Sequence, residues 1–173
     1  MDASIHICKA TSADAGIISR IVERSIRVGC ALDHRNDPRT VATWTHNKTI
    51  EHVQPWLSDP RLYLNIALLH DKPVGVAMAA ISGKVAFCYV QPEWFRRGVG
   101  QALVHDLEAW LITQGVPQAR LNSTRTGEAF YRRLGYRVCA EAFTVSGLHA
   151  IPMHKALSPS SWKADRGSKS LRR

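Results

Sequence analysis

The residues best able to do chemistry fall in one run, Val90-Gln-Pro-Glu-Trp-Phe-Arg-Arg-Gly-Val-Gly-Gln101. A strand pattern leads in and a helix pattern leads out. Pro92, Arg96, Arg97, Gly98 and Gly100 stand between them. Glycine lets backbone approach a ligand closely and adopt angles that other residues avoid. The first N–H groups of a helix have no internal partner, and the helix dipole makes that end positive. The run therefore reads as an anion cradle suited to a pyrophosphate. Its contacts would be the backbone of Gly98, Val99, Gly100 and Gln101 and the guanidinium groups of Arg96 and Arg97. It is not a P-loop, because GxxxxGK[ST] is absent. It is not a dinucleotide fingerprint, because Leu103 stands where a third glycine belongs and the preceding strands read as antiparallel. A tight strand-to-helix turn with solubilising arginines would show the same local pattern.

Downstream, Tyr131 follows Phe130 on a short helical pattern that Gly135 stops, and by its spacing reads as a packing tyrosine. Asn122 ends the strand pattern before that helix and reads as a turn asparagine bonding its own backbone. Asp33, His34, Glu51 and His52 are titratable, but no spacing singles one out as a base. Trp44 and Trp56 share helical spacing with Val41 and Val53 and read as core.

These groups need elements to hold them. Ile5–Cys8 alternates as a first strand. Thr11 to Asp14 is a capping-box start for a helix carrying Ile17, Ile18, Ile21, Val22 and Ile26, which Gly29 can end. Asp37-Pro38 starts another helical stretch, interrupted near Pro55. Leu62–Leu68, Val74–Met78 and Val85–Val90 alternate, with short turns between, and predict an antiparallel meander. Val99, Leu103, Leu107, Trp110 and Leu111 share a helix face, stopped by Gly115 and Pro117. A strand at Ala119–Asn122 follows, then a helix capped by Thr126 through Leu134. A closing hairpin turns around Gly147. The order is that of a layered α/β (α+β) domain.

The 173 residues suggest one domain. Lys+Arg number 23 against 14 Asp+Glu, and this net +9 favours an anionic partner without choosing among nucleic acid, lipid and phosphorylated cofactor. Much of the charge lies in the Ser/Lys/Arg-rich tail, residues 158–173, which is expected to be disordered. Cys8, Cys30, Cys88 and Cys139 form no CxxC pair and read as buried reduced thiols, so no metal site is expected. No run approaches a membrane span and no signal peptide opens the chain, so a cytoplasmic protein is the simplest expectation.

With its flanks included, the sequence resembles the GNAT superfamily of N-acetyltransferases. Val90-Gln91-Pro92 resembles the family's lead-in, and Phe95-Arg96-Arg97-Gly98-Val99-Gly100 its [QR]-x-x-G-x-[GA] motif. Ala129 to Tyr136 resembles its aromatic-tyrosine helix, Leu121 to Thr124 the strand ahead of it, and Ile151 to Leu157 its last strand. The resemblance covers roughly residues 4–157. It implies the GNAT fold over residues 1–157, a mixed, mostly antiparallel sheet of about six to seven strands flanked by about four helices. It implies acetyl-CoA as co-substrate, a small-molecule or protein amine as acceptor, and a monomer or homodimer with no metal and no membrane. It also implies backbone contacts from Tyr89 and Val90, a contact near Asn122, and Tyr131 as general acid. Phe95 departs from the motif's Gln or Arg and shifts phosphate contacts onto N–H groups and the two arginines. Two other readings stand beside this one. A non-catalytic acyl-CoA sensor would fit Phe95. A nucleic-acid binder would rest on the basic tail, but lacks interleaved aromatics and any recognition motif.

Overall fold

Alternation of apolar side chains through Leu62–Val90 produces three hairpin-linked strands, as the sequence predicts. The structure is a computed structural model that describes residues 4–158. The expectation for the basic tail lies, beyond Ser158, outside the described residues. Strands β2 (Leu62–Leu69), β3 (Lys72–Ala80) and β4 (Val85–Val90) pair antiparallel, and β1 (Ile5–Lys9) adds to the outer edge of β2. His70 and Asp71 both take positive φ (51° and 60°) in the two-residue turn between β2 and β3, the geometry that matches strand twist. The second sheet contains β5 (Gln118–Ser123), β6 (Arg137–Val138), β7 (Phe143–Val145) and β8 (Leu148–Ala156), with the other three each pairing with β8.

Helices cover both faces of the first sheet because its strands are apolar on both faces. On one side α5 (Val99–Thr113) buries Val99, Leu103, Val104, Leu107 and Leu111 against Val74, Ala77 and Ala79 of β3. On the other, α1 (Ala15–Arg24) and α4 (Ile50–Ser58) bury Ile18, Ile21, Val22 and Val53 against Leu64, Ile66, Val76 and Met78. Burying each such side chain contributes about 1.5–3 kcal/mol before conformational entropy is subtracted. Trp44 and Trp56 pack on this second cluster, as their spacing predicts.

Several local expectations need correction. Gly29 does not end the first helical stretch. After α1 the chain widens into a π-type segment, Ser25–Gly29, closed by Cys30 N–H to Ser25 O (3.1 Å), and continues as α2 (Ala31–His34). Pro55 does not interrupt α4, which runs through it to Ser58; a proline sacrifices one helical bond, and the packing of Val53 outweighs that here. Thr126 does not cap α6 (Glu128–Arg133), because its hydroxyl is bonded to Asp33. Cys139 is exposed rather than buried, and all four thiols are free. Asp37 does cap α3 (Pro38–Thr45), accepting from Thr40 N–H at 2.9 Å. No helix among the described residues is long and apolar enough to cross a membrane.

The seat of α5 on β3 depends on Gly75. A Cβ there would lie 2.9 Å from Leu103 Cδ1, 3.1 Å from Tyr89 O and 3.2 Å from Val99 Cγ1. Gly75→Val is expected to destabilise the protein by about 1–3 kcal/mol, the usual range for overpacking, seen as a lower urea midpoint. Gly16→Ala, in α1 with nothing nearer than 3.9 Å, should hold or raise the midpoint. An unchanged midpoint for Gly75→Val would contradict this packing.

Candidate active site

Strand β4 has a full partner on one side only. Gln91 N–H donates to Val74 O at 2.9 Å, and Val76 stands opposite Tyr89. Alternation in an antiparallel ladder then turns the backbone of Tyr89 toward β3 and that of Cys88 and Val90 toward the other edge. On that edge β5 runs parallel and meets β4 through one bridge, Lys84 with Arg120, where Arg120 N–H donates to Gly83 O at 2.9 Å. Beyond the bridge the two strands part. Of the two backbone groups expected at the site, Val90 faces the gap and Tyr89 is committed to β3. Asn122 lies on β5, exposed and opposite Pro152. It is a strand residue, not a turn residue.

The chain leaves β4 through a 3-10 turn, Pro92–Trp94, and reaches α5. Arg96 (φ 60°) and Gly98 (φ 81°) are both left-handed, so successive N–H groups converge in a concave nest. Ala102 is the first amide of α5 bonded within the helix, to Gly98 O at 3.0 Å. The N–H groups of Val99, Gly100 and Gln101 have no protein acceptor among the described residues. Val99 is buried, so only its backbone can serve a ligand, whereas Gln101 is exposed. Arg96 is exposed, and the Arg97 guanidinium sits 5.1 Å from the centre of the Trp94 ring. The space in front of Gly98 is open, with Ile5 Cδ1 the nearest atom to a built Cβ at 3.8 Å. Gly100 is needed for another reason: a Cβ there would lie 3.0 Å from Phe130 Cζ. The second motif glycine thus seats the aromatic of α6 against α5.

The loop is braced from a helix that sequence reasoning did not connect to it. Arg24 of α1 donates to Gln91 Oε1 at 2.9 Å and to the Glu93 carboxylate. Phe95 leans on the end of the π-type segment, where a Cβ at Gly29 would be 3.2 Å from its ring. An i,i+4 pair would have been visible in the sequence; a contact across 69 residues was not.

Tyr131 is half-buried, with Phe130 at 4.9 Å and Tyr136 at 5.7 Å between ring centres. Burial, and then the proximity of Cys88, Tyr89 and Cys30, holds its phenol proton well above the ordinary range. Those same neighbours place it in electrostatic range of the end of β4. Burial pushes the Cys88 thiol up to about 12, and burial together with Asp33 does the same for Cys30. Tyr89 accepts from Trp44 Nε1 at 2.9 Å, and burial raises its phenol too. The acids grouped around Tyr131 therefore stay neutral.

The titratable groups considered as bases are occupied or distant from the cradle. Asp33 accepts from Thr126 N–H (3.1 Å) and Thr126 Oγ1 (2.6 Å). His34 is buried, with Nε2 against Ile26 O (2.8 Å) and Nδ1 accepting from Asn36 N–H (3.0 Å). These partners assign its tautomer. His52 Nδ1 bonds Thr49 Oγ1, and Glu51 is exposed on α4. Among the described residues no group of three or more His, Cys, Asp or Glu could hold a metal ion.

Comparison with known proteins identifies the family and the fold. A family model described as an acetyltransferase (GNAT) domain matches residues 33–157. A Bacillus subtilis (strain 168) protein, named as a candidate acetyltransferase, is 29% identical over 93 residues, 52% of this chain; the match spans only 63% of that relative's length. Among solved structures, a GCN5-related N-acetyltransferase of Rhodopseudomonas palustris superposes with a TM-score of 0.79 at 23% identity, covering 91% of this chain and 99% of that one. The PaiA N-acetyltransferase of Thermoplasma acidophilum, in complex with coenzyme A, gives 0.74 at 19% identity, covering 88% and 99%. The structural likenesses establish the fold alone. The family model, which matches well over half of the sequence, shows that this chain belongs to the GNAT family of acetyltransferases.

Proposed function

We propose that residues 1–157 form an acetyl-CoA-dependent N-acetyltransferase domain that moves an acetyl group onto a primary amine by direct attack, with Tyr131 as general acid. The observation that carries this reading is two sets of unpaired backbone donors, the Val90 amide on the open edge of β4 and the first-turn amides of α5, joined by a loop whose Gln91, Trp94 and Phe95 amides are bonded internally. An extended pantetheine arm would add to that edge as a strand does. The pyrophosphate would rest on the N–H groups of Gly98 to Gln101, near Arg96 and Arg97. Asn122, on the other lip, is a further contact for the same ligand. The neighbour solved with coenzyme A supports this donor.

In the reaction, the amine nitrogen forms a bond to the thioester carbonyl carbon and the carbon–sulfur bond breaks. The ammonium loses one proton to solvent before attack; the electron pair then leaves on sulfur, which takes the Tyr131 proton, and the second proton released by the acylated nitrogen returns through solvent to restore the phenol. Val90 N–H would polarise the carbonyl. A cysteine carrier has no support, because the thiol rather than the nucleophilic thiolate persists at Cys30 and Cys88.

Thermal shift with acetyl-CoA, CoA, ATP and NAD should show stabilisation by the two CoA species, about 2.7 kcal/mol at a hundredfold excess over Kd. Stabilisation by NAD without CoA would overturn the reading. Gly98→Leu should abolish the CoA effect, since a side chain would fill the open space before the nest.

Tyr131→Phe should lower kcat by up to about 10²-fold, near the low end for a general acid, because thiolate leaves readily, with the acetyl-CoA KM little changed. The raised phenol keeps its proton as pH rises through neutrality. Any alkaline limb due to Tyr131 must therefore lie above the ordinary phenol value of about 10. A limb between pH 7 and 9 that vanished in Tyr131→Phe would contradict the assignment.

A further inference from the structure

A cleft of about 300 Å³ opens between α2–α3, the loop after β5 and the β7–β8 hairpin. Its position ties it to the reaction. At one rim Asp33 is bonded to Thr126, next to Gly127, where a Cβ would lie 3.6 Å from Tyr131 Cε2. At the other, the hairpin turn Ser146-Gly147, both residues at positive φ, presses on α3. A Cβ at Gly147 would be 2.6 Å from Thr40 Oγ1. The cleft thus lies beside the start of the helix that carries Tyr131.

The charge available in this cleft is one-sided. Its two carboxylates are spent within the protein: Asp33 on Thr126, and Asp37 on Thr40 N–H (2.9 Å) and Thr40 Oγ1 (2.7 Å). His34 has both ring nitrogens engaged. Arg35 and Arg125 also line the cleft, are exposed, and have no carboxylate partner among the described residues. His149, on the hairpin strand β8 opposite Thr144, also lines the cleft. Arg35 is held at φ 54° and Asn36 at φ 56°. Left-handed angles cost energy in non-glycine residues, and here Arg35 N–H to Ala31 O (2.9 Å), Asn36 N–H to His34 Nδ1 and Asp37 N–H to His34 O (2.9 Å) maintain them. The strained pair keeps Arg35 at the cleft wall.

We propose that the acceptor is an amine whose own molecule carries an oxyanion, a carboxylate or a phosphate, gripped by Arg35 and Arg125. This rests on the acetyltransferase reading. A guanidinium is suited by geometry and permanent charge to such groups. A polycationic acceptor such as a polyamine would meet two unpaired guanidinium groups and no free carboxylate in this cleft.

The test compares acceptors that differ only in the anionic group: lysine with cadaverine for a carboxylate, phosphoethanolamine with ethanolamine for a phosphate. Full-length protein is assayed for acetyl transfer, and binding of each acceptor is read by calorimetry with and without CoA. The expected result is at least a tenfold preference for the anionic member of one pair, and which pair shows it identifies the oxyanion. Arg35→Asn, which tolerates the left-handed angle, and Arg125→Gln should each weaken that member about tenfold or more. They should leave the plain amine, the acetyl-CoA KM and the melting temperature unchanged, and Arg125→Lys should recover part of the loss. Equal or better use of the plain amines, an equal loss on both members, or no binding of either would overturn the proposal. A protein that fails to bind CoA yet prefers the anionic acceptor in calorimetry would instead sink the acetyltransferase reading and leave this site standing.

Discussion

The structure turns on a strand edge left without its partner. Backbone N–H and C=O groups that lose water must find another partner, yet β4 and β5 meet at one bridge and then diverge. Two sheets that diverge would ordinarily slide or close, and α5 prevents both. Its Asp106 accepts from Asn65 Nδ2 and Tyr63 OH of β2, each at 2.8 Å, which fixes the helix to the first sheet. One turn or less away, buried Glu108 pairs with Lys155 of β8 at 2.8 Å and stands 3.5 Å from Tyr136 OH. That fixes the same helix to the second sheet. Such buried pairs add little net stability, but losing one partner is costly, on the order of 3–5 kcal/mol. Their effect is to specify position: one helix holds both lips of the gap, and its own N-terminus opens into it.

The cleft beside α2 follows from the same constraint. A regular helix continuing from α1 would carry its residues along the sheet. The π-type segment Ser25–Gly29 inserts a wider turn, and α2 is redirected so that Asp33 reaches Thr126 beyond β5. Interruptions of this kind recur at functional sites because they re-aim a helix without breaking it. Arg24, at the last turn of α1, braces the cradle loop through Gln91 and Glu93. The same stretch of chain therefore steadies the loop before α5 and forms one wall of the cleft that Arg35 and Arg125 line.

Much of this fold was legible in the sequence, for a definite reason. The meander, the face of α5, the Asp37 cap and the Gly98 turn depend on residues a few positions apart, and period and cap chemistry report such contacts. What was not legible depends on distant contacts. The π-type segment carries the same apolar spacing as the helix before it. Thr126 has the chemistry of a cap, and only its contact with Asp33, 93 residues away, takes it from that role. Gly100 read only as a ligand contact, and its second role, making room for Phe130 of α6, depends on a residue 30 positions away. Arg35 and Arg125 read as ordinary surface charge until the fold set them on one cleft. A list of acids near the acceptor region could not show that Asp33 and Asp37 are already committed.

The two sides of the gap also differ in how they hold charge, and this difference follows from burial. At the donor side Tyr131, Tyr89, Cys88 and Cys30 all keep their protons because desolvation penalises their anions. No standing negative charge from these groups then faces the end of β4. At the acceptor side the guanidinium groups of Arg35 and Arg125 stay exposed, where a charge keeps its hydration and persists. A fixed positive charge close to the thioester would hinder approach of an ammonium. Set out in the cleft, it can hold an anionic tail while the amine end, once deprotonated, reaches the neutral side. Segregation of this kind requires the two walls to come from different parts of the chain, one from the strand and helix around the cradle and the other from α2, the β5–α6 loop and the closing hairpin.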